Sequence, residues 1–226
     1  MNPSELARIA GAMVAKGKGI LAADESTGTI KKRFDSIRLD STEEHRRTYR
    51  ELLFTAPAAA ESVSAVIFYD ETLRQKTKDG TPFPQYLTRQ GIVPGIKVDT
   101  GAKPLAGFPG ETITEGLDGL RERLIEYHGL GARFAKWRAV IDIGAGIPTS
   151  FAIEANAHGQ TGPFLTRQIA IVQKPRMDLP AFQDLDPSLP DPDFNFQPIH
   201  RVRMDGLVAA IGLAGQDGFD DRGDHL

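Results

Sequence analysis

Four runs of apolar residues stand out along the first two thirds of the chain. Each run is rich in Val, Ile, Ala and Phe, and each is bounded by Gly, Pro or charged residues. Short apolar runs with such boundaries are typical of buried β-strands. The four predicted strands cover residues 20–24, 63–70, 93–99 and 133–143.

Between these runs, apolar residues recur at spacings of three and four, which predicts amphipathic helices. Ser41 and Glu44 have the spacing of a capping box, so we expect the second of these helices to begin at Ser41. Strands that alternate with helices indicate an α/β fold with a parallel sheet. The predicted helices lie near residues 4–14, 41–54, 117–129 and 148–159.

Charged residues lie inside or at the ends of these apolar strands. The period of two places Lys97 and Asp99 on one face of the third strand, and Lys136 and Arg138 on one face of the fourth. A doubly wound sheet requires both faces to be apolar, whereas a β/α barrel can direct polar side chains into its mouth. We therefore predict a β/α barrel of the TIM type.

The composition changes after Gly159. Residues 161–226 contain ten Asp and no Glu, whereas residues 1–160 contain eight Asp and twelve Glu. The Pro-rich segment 175–198 shows neither helical nor strand periodicity, which predicts an irregular or disordered chain. The sequence thus divides into a β/α portion at 1–159 and a divergent Pro/Asp-rich tail at 160–226.

Composition narrows the classes of function. The formal net charge is −3, so we expect neither nucleic acid nor an anionic membrane as a partner. The chain has no cysteine, and its five histidines lack metal-ligand spacing, so we expect no metal and no cofactor. No apolar stretch approaches the roughly 20 residues of a membrane helix, and no secretory signal precedes the first helix. We expect a soluble cytoplasmic protein.

The segment GILAADESTGTIKKRF, residues 19–34, combines a strand with a cluster of polar side chains. Asp24 either serves as a helix cap or is an active-site carboxylate at a strand end. Inward-facing lysines and arginines are costly unless they meet anions. They can do so in an ion network with Asp24, Asp70 and Asp99, or by binding a phosphorylated ligand.

Six segments, in order, resemble the class I fructose-bisphosphate aldolase family over residues 4–158. The resemblance implies a metal-independent barrel enzyme that reversibly cleaves fructose 1,6-bisphosphate into dihydroxyacetone phosphate and glyceraldehyde 3-phosphate through a lysine Schiff base. The segments are LAADESTGTIKKRF, EEHRRTYRELLF, VIFYDETLRQ, PGIKVDTGAKPLAG, TEGLDGL and GARFAKWRAVI.

The resemblance also implies roles for individual residues. Asp24 and Lys136 are its catalytic candidates, with Asp24 assisting proton transfer at the reacting centre. The implied substrate-binding residues hold hydroxyl or phosphate groups or face the reacting carbon, and they are Ser26, Thr29, Arg33, Arg46, Lys97 and Arg138.

The resemblance ends near Gly159, before the family's Glu-Pro-Glu motif and the Leu-Leu-Lys-Pro-Asn-Met motif of its imine-forming lysine. We therefore expect about the first half of a barrel, followed by an unrelated tail. The alternatives to an active aldolase are a catalytically inactive relic and a phosphosugar-binding module. Because the family's imine-forming lysine is not found in this sequence, we expect the chain to bind phosphate-bearing ligands weakly and to show little or no cleavage. Because a half barrel leaves strand edges unpaired, we also expect a homo-oligomer.

Overall fold

The computed structural model describes residues 3–161, 169–172 and 207–211. Helices and strands alternate along most of this length, as predicted. The strands are β1 (Gly19–Ala23), β2 (Val63–Phe68), β3 (Val93–Lys97), β4 (Gly101–Pro104), β5 (Thr112–Glu115), β6 (Phe134–Trp137), β7 (Ile169–Val172) and β8 (Leu207–Ile211). The helices are α1 (Pro3–Met13), α2 (Thr27–Ser36), α3 (Glu43–Phe54), α4 (Ala59–Ser62), α5 (Asp70–Arg74), α6 (Phe83–Arg89), α7 (Leu120–Gly129) and α8 (Ser150–Thr161).

Six strands form one sheet in the order β1-β2-β3-β6-β8-β7. The first four are mutually parallel, which confirms the predicted α/β class. β8 pairs antiparallel with β6, and β7 pairs antiparallel with β8. β4 and β5 form a separate antiparallel hairpin. The described strands thus make an open sheet that begins at β1 and ends at β7.

One face of the sheet is covered by helices. Apolar side chains of β2, β3 and β6, among them Phe68, Ile96 and Trp137, share a buried cluster with residues of α3, α5, α6 and α7. The parallel strands alternate with these helices in sequence, so each crossover places a helix against this face. Burial on the helical side therefore fixes which strand residues face the other way.

The opposite, inner face is organised in levels. Ala65, Ile67 and Phe134 pack against Ile9 and Met13 of α1, which covers the amino-terminal end of this face. One level carries Ala22, Ile67, Gly95 and Phe134, which are mutual partners in the strand register. Levels of side chains on an inner face are the arrangement found inside β/α barrels.

Gly95 is required by the Phe134 ring beside it. A Cβ atom added at Gly95 would lie 2.2 Å from the ring carbon Cζ of Phe134. Phe134 is fully buried and fills the inner face where Gly95 has no side chain. The Phe134 side chain therefore fills the space at this level of both neighbouring strands, β3 and β6.

The fourth predicted strand is wrong beyond Trp137, because β6 has four residues and not eleven. After β6 the chain no longer pairs with β3, and side chains of the β4–β5 hairpin donate hydrogen bonds to its carbonyl oxygens. Thr114 Oγ1 donates to the carbonyl of Arg138 at 2.9 Å, and Thr112 Oγ1 donates to the carbonyl of Val140 at 2.7 Å. Tertiary hydrogen bonds thus replace strand pairing.

Two predictions about local boundaries are also corrected. Thr42, not Ser41, caps α3, since its hydroxyl accepts a hydrogen bond from the His45 N–H at 3.1 Å. Ser41 instead accepts a hydrogen bond from Arg46 through its carbonyl oxygen. Asp70 does not end β2, because the strand stops at Phe68 and Asp70 is the first residue of α5.

The tail predicted to be irregular contains ordered pieces. α8 continues to Thr161, and β7 and β8 both lie beyond residue 160. The segment 175–198, for which disorder was predicted, lies outside the described residues. Among the residues that the structure describes, no helix is long and apolar enough to cross a membrane.

Candidate functional site

The strand register brings three charged residues to one level at the carboxyl ends of the parallel strands. Ala23, Phe68, Ile96 and Ala135 are linked as successive partners across β1, β2, β3 and β6. Asp24 directly follows β1, and the next residues on β3 and β6 are Lys97 and Lys136, which are themselves register partners. All three point to the inner face, opposite Ile96 and Ala135.

Lys136 and Asp24 form a direct contact across the sheet. Lys136 Nζ lies 2.5 Å from Asp24 Oδ2, and their side chains are only 15% and 10% exposed. β1 and β6 are three strand spacings apart, about 14 Å along the sheet. Upright side chains on a flat sheet would not meet over that separation, so the sheet must curl around this face.

Lys97 has its own carboxylate partner. Its Nζ lies 2.6 Å from Asp99 Oδ1 and 2.7 Å from the Asp99 carbonyl oxygen. Asp99 is almost fully buried and also accepts a hydrogen bond from the Gly101 N–H at 3.1 Å. Its second oxygen, Oδ2, is buried and has no hydrogen-bond partner among the described residues.

Two lysines side by side on neighbouring strands repel each other unless their charges are balanced. Here Asp24 balances Lys136 and Asp99 balances Lys97, so two oppositely charged pairs lie at the carboxyl ends of the strands. We call this region, around Asp24, Lys97 and Lys136, the mouth. The predicted ion network is therefore present for Asp24 and Asp99. Such a site offers ammonium groups to an anionic substrate and carboxylates for proton transfer.

Asp70 does not join this network. It pairs with Arg74 one turn along α5, at 2.9 Å. Burial raises the pKa of Asp70, but the hydrogen bonds from Arg74 and Tyr127 outweigh burial and hold the pKa below its ordinary value. Asp70 thus stabilises a helix end.

The loop after β1 connects Asp24 to helix α2. Ser26 caps this helix by accepting a hydrogen bond from the Thr29 N–H at 3.3 Å, so Ser26 and not Asp24 is the cap. Ser26 Oγ and Thr29 Oγ1 are 3.1 Å apart, at the amino end of α2. Arg33 lies one turn further and is ion-paired with Glu25, although more than half of its side chain is exposed. Ser26, Thr29 and Arg33 therefore lie on one polar surface beside Asp24.

Arg46 and Arg138 are not drawn into the lysine–carboxylate cluster. Arg46 binds Glu71 with two nitrogens, at 2.8 and 2.6 Å, and these contacts raise its pKa above the ordinary value. Arg138 follows the end of β6, and its side chain is exposed. Within the described part of the chain, no carboxylate forms an ion pair with Arg138.

Sequence reasoning missed Glu25 and Arg50, which lie directly behind Asp24. Arg50 is 2% exposed, and its Nη1 is 2.7 Å from Glu25 Oε2. The signal for a buried arginine was present, because Arg50 precedes the buried Phe54 by one helical turn on α3. No spacing rule indicated that Glu25 would be its partner.

The described residues contain no group of three His, Asp or Glu side chains able to hold a metal ion. The groups that the structure brings together at the site are amines and carboxylates. An amine is a nucleophile toward carbonyl carbon, and a neighbouring carboxylate can exchange protons with it.

The family model for class I fructose-bisphosphate aldolase matches residues 5–179. A probable fructose-bisphosphate aldolase class 1 of Xanthomonas campestris is 60% identical over 174 residues, which are 77% of this chain and 51% of that protein. The cytosolic fructose-bisphosphate aldolase 6 of Arabidopsis thaliana is 58% identical over 143 residues, which are 63% of this chain and 40% of that protein.

A solved structure of fructose-bisphosphate aldolase from Plasmodium falciparum, in complex with TRAP and a small-molecule inhibitor, superposes with a TM-score of 0.67. The two sequences are 49% identical, and the matched region covers 69% of this chain and 46% of the solved aldolase chain. The chain thus spans about half the length of the curated relatives first matched. With the family model covering well over half of its residues, the chain belongs to the class I fructose-bisphosphate aldolase family.

Proposed function

We propose that this protein catalyses the reversible aldol cleavage of fructose 1,6-bisphosphate into dihydroxyacetone phosphate and glyceraldehyde 3-phosphate through a lysine Schiff base. The observation that carries the proposal is the contact between Lys136 Nζ and Asp24 Oδ2, with Lys97 on the neighbouring strand. The names of the relatives supply the substrate.

In the proposed reaction, a lysine amine condenses with the substrate ketone and releases water. The protonated imine then accepts the electron pair of the breaking carbon–carbon bond, while a base removes the proton of the adjacent hydroxyl group. Asp24 and Lys136 form the proton-transfer pair, and Lys97 and Lys136 are the amines that the described residues bring to this mouth. Their positive charge also favours the developing negative charge.

The phosphate groups need separate positive or hydrogen-bonding partners. Ser26 and Thr29 lie at the amino end of α2, where the helix dipole favours an anion, and the exposed part of Arg33 lies on the same surface. Arg138 is exposed and free to turn toward a ligand. Arg46 would have to leave Glu71 to bind phosphate, so it is the weakest of the proposed substrate ligands.

The curled parallel strands support a β/α barrel as the complete architecture. We assign residues 1–159 to the barrel portion and residues 160–226 to the divergent tail, although the family match extends to residue 179. Within the described residues, β1 has one partner strand, β2, so its other edge is the place where a second copy would pair in the proposed homo-oligomer. We place the protein in the cytoplasm, as the name of the Arabidopsis relative suggests.

The test is a cleavage assay with fructose 1,6-bisphosphate, in which product formation is coupled to a dehydrogenase. The protein should cleave the substrate, and the Asp24→Asn and Lys136→Met variants should lose on the order of 10²- to 10⁴-fold in kcat. Lys31→Met is the matched control, since Lys31 pairs with Asp35 on the exposed face of α2 and lies outside the mouth.

Two outcomes would contradict the proposal. Cleavage that is equally fast in the Asp24→Asn variant would exclude the proton-transfer role. Saturable binding of the sugar phosphate without any cleavage would identify a phosphosugar-binding module instead of an enzyme.

A further inference from the structure

Arg50 is a buried cation that the proposed reaction does not use. It lies on α3, its side chain is 2% exposed, and burial lowers its pKa from the ordinary value. Its Nε and Nη1 atoms are buried and have no hydrogen-bond partner among the described residues, although Nη1 is ion-paired with Glu25 Oε2. A buried charge with incomplete hydrogen bonding is costly, so its position requires an explanation.

The partner of Arg50 is the residue next to Asp24. Arg50 Nη2 donates to the carbonyl oxygen of Glu25 at 3.1 Å, and Nη1 lies 2.7 Å from Glu25 Oε2. Arg50 thus holds both the main chain and the side chain of Glu25. The negative charges of Glu25 and Asp24 both favour the protonated guanidinium.

The loop between β1 and α2 has only three residues, 24–26. Ala23 is held in the ladder by Phe68, and Ser26 is held as the cap of α2. Glu25 is held through its carbonyl and Oε2 by Arg50 and through Oε1 by Arg33, so both neighbours of Asp24 are anchored, and only Arg50 reaches the main chain of the loop. With both sides fixed, Asp24 has little freedom except to direct its carboxylate toward Lys136.

From these contacts we infer that Arg50 is a positioning residue, which acts through Glu25 to hold the Asp24 carboxylate against Lys136. The inference deepens the proposed aldolase function, and it rests on that function for its catalytic meaning. Among the described residues, no hydrogen bond or ion pair joins Arg50 to Asp24, Lys97 or Lys136. Its effect on the reaction would pass through the loop.

Arg47 provides a matched control on the same helix. It is also ion-paired, with the two carboxylates of Glu44 and Glu51, at 2.7 and 2.6 Å. None of its contacts involves the loop at residues 24–26 among the described residues. Arg50→Met and Arg47→Met therefore remove the same charge from α3, and only the first removes the contact with Glu25.

The experiment measures how fast Lys136 is acetylated by a small amine-reactive ester, with peptide mass spectrometry on the folded protein. A lysine held by a carboxylate reacts slowly, so Asp24→Asn should raise the Lys136 rate on the order of tenfold. Arg50→Met should raise it to a similar extent. The double variant should react no faster than Asp24→Asn alone, because both changes release the same contact.

Lys31, paired with Asp35 on the protein surface, is the internal control and should react equally in all variants. If Lys136 is no more reactive in Arg50→Met, or if Arg47→Met raises its reactivity equally, the positioning role is wrong. Should Arg50→Met not fold, Glu25→Gln and Arg50→Lys serve instead, and unchanged Lys136 reactivity in Glu25→Gln overturns the inference. Since the acetylation experiment uses no substrate, its result does not depend on the outcome of the cleavage assay.

Discussion

Lys136 shows which part of a functional site a sequence can reveal. The period of two along its strand predicted its face, and the structure confirms that it points away from Ala135 and Trp137. Its partner Asp24 lies 112 positions earlier, and their contact depends on the curl of the whole sheet. The resemblance named both residues, but no local pattern could have joined them.

The ion pair at the mouth should contribute strongly to stability, because removing one member leaves a poorly solvated charge beside Lys97. We expect Asp24→Asn to lower the free energy of unfolding by about 3 kcal/mol. In the double variant Asp24→Asn/Lys136→Met, the loss should be smaller than the sum of the two single losses by about 1 kcal/mol or more. Urea unfolding of the four proteins measures this coupling, and strictly additive losses would show that the pair is not coupled.

Gly95 allows a second test at the residue scale. Gly95→Ala places a Cβ atom in steric overlap with the Cζ, Cε1 and Cε2 atoms of Phe134, so we expect a loss of about 3 kcal/mol in the free energy of unfolding. Gly11→Ala is the control, since nothing lies within 4 Å of a Cβ atom at Gly11 in helix α1. That variant should gain about 0.5–1 kcal/mol. A well-tolerated Gly95→Ala substitution in urea unfolding would contradict the packing of this level.

At the scale of elements, strand starts were easier to predict than strand ends. β1, β2 and β3 begin within one residue of their apolar runs. The predicted ends of β2, β3 and β6 were wrong, since β3 also stops two residues early, at Lys97. The ends of β2 and β6 depend on α5 and on the threonines of the hairpin. The charged pattern of the strands predicted the mouth, whereas helix α3 contributed Arg50 with no signal beyond its spacing to Phe54.

Helix α3 is tied to the loop before α6 through Glu51. Its carboxylate accepts hydrogen bonds from the Lys78 N–H and from Arg47, each at 2.6 Å. Burial raises the pKa of Glu51, but these hydrogen bonds outweigh burial and hold the pKa below its ordinary value of 4.5. The contact therefore stabilises the fold fully above about pH 4.5, and its contribution disappears as the pH falls through the lower folded pKa.

We predict that Glu51→Gln lowers the free energy of unfolding by about 1–2 kcal/mol near neutral pH, and by progressively less below pH 4.5. Urea midpoints of wild type and variant between pH 6 and pH 3 measure this convergence. Glu61→Gln, an exposed position on α4, should give a small difference at every pH. A Glu51→Gln difference that stays constant or grows on acidification would show the opposite sign of linkage.

At the scale of the whole molecule, family membership was predictable because several motifs match in series. The family match continues to residue 179, past the composition change at Gly159. β7 and β8 were not predicted, because the Pro- and Asp-rich segments around them mask short apolar runs that have no periodic context. Barrel closure could not be derived either, since it depends on strands beyond the four parallel ones.

The proposed function requires Schiff-base chemistry at the mouth around Asp24, Lys97 and Lys136. Borohydride reduction in the presence of dihydroxyacetone phosphate tests it most directly, because hydride converts a lysine imine into a stable secondary amine. The missing lysine motif alone predicts no adduct, but because Lys136 and Lys97 lie together beside Asp24 we propose one covalent adduct per chain, visible by mass spectrometry, and much less adduct in the Asp24→Asn variant. Peptide mapping would then identify the nucleophilic lysine. The absence of any adduct under conditions where the sugar phosphate binds would contradict the account.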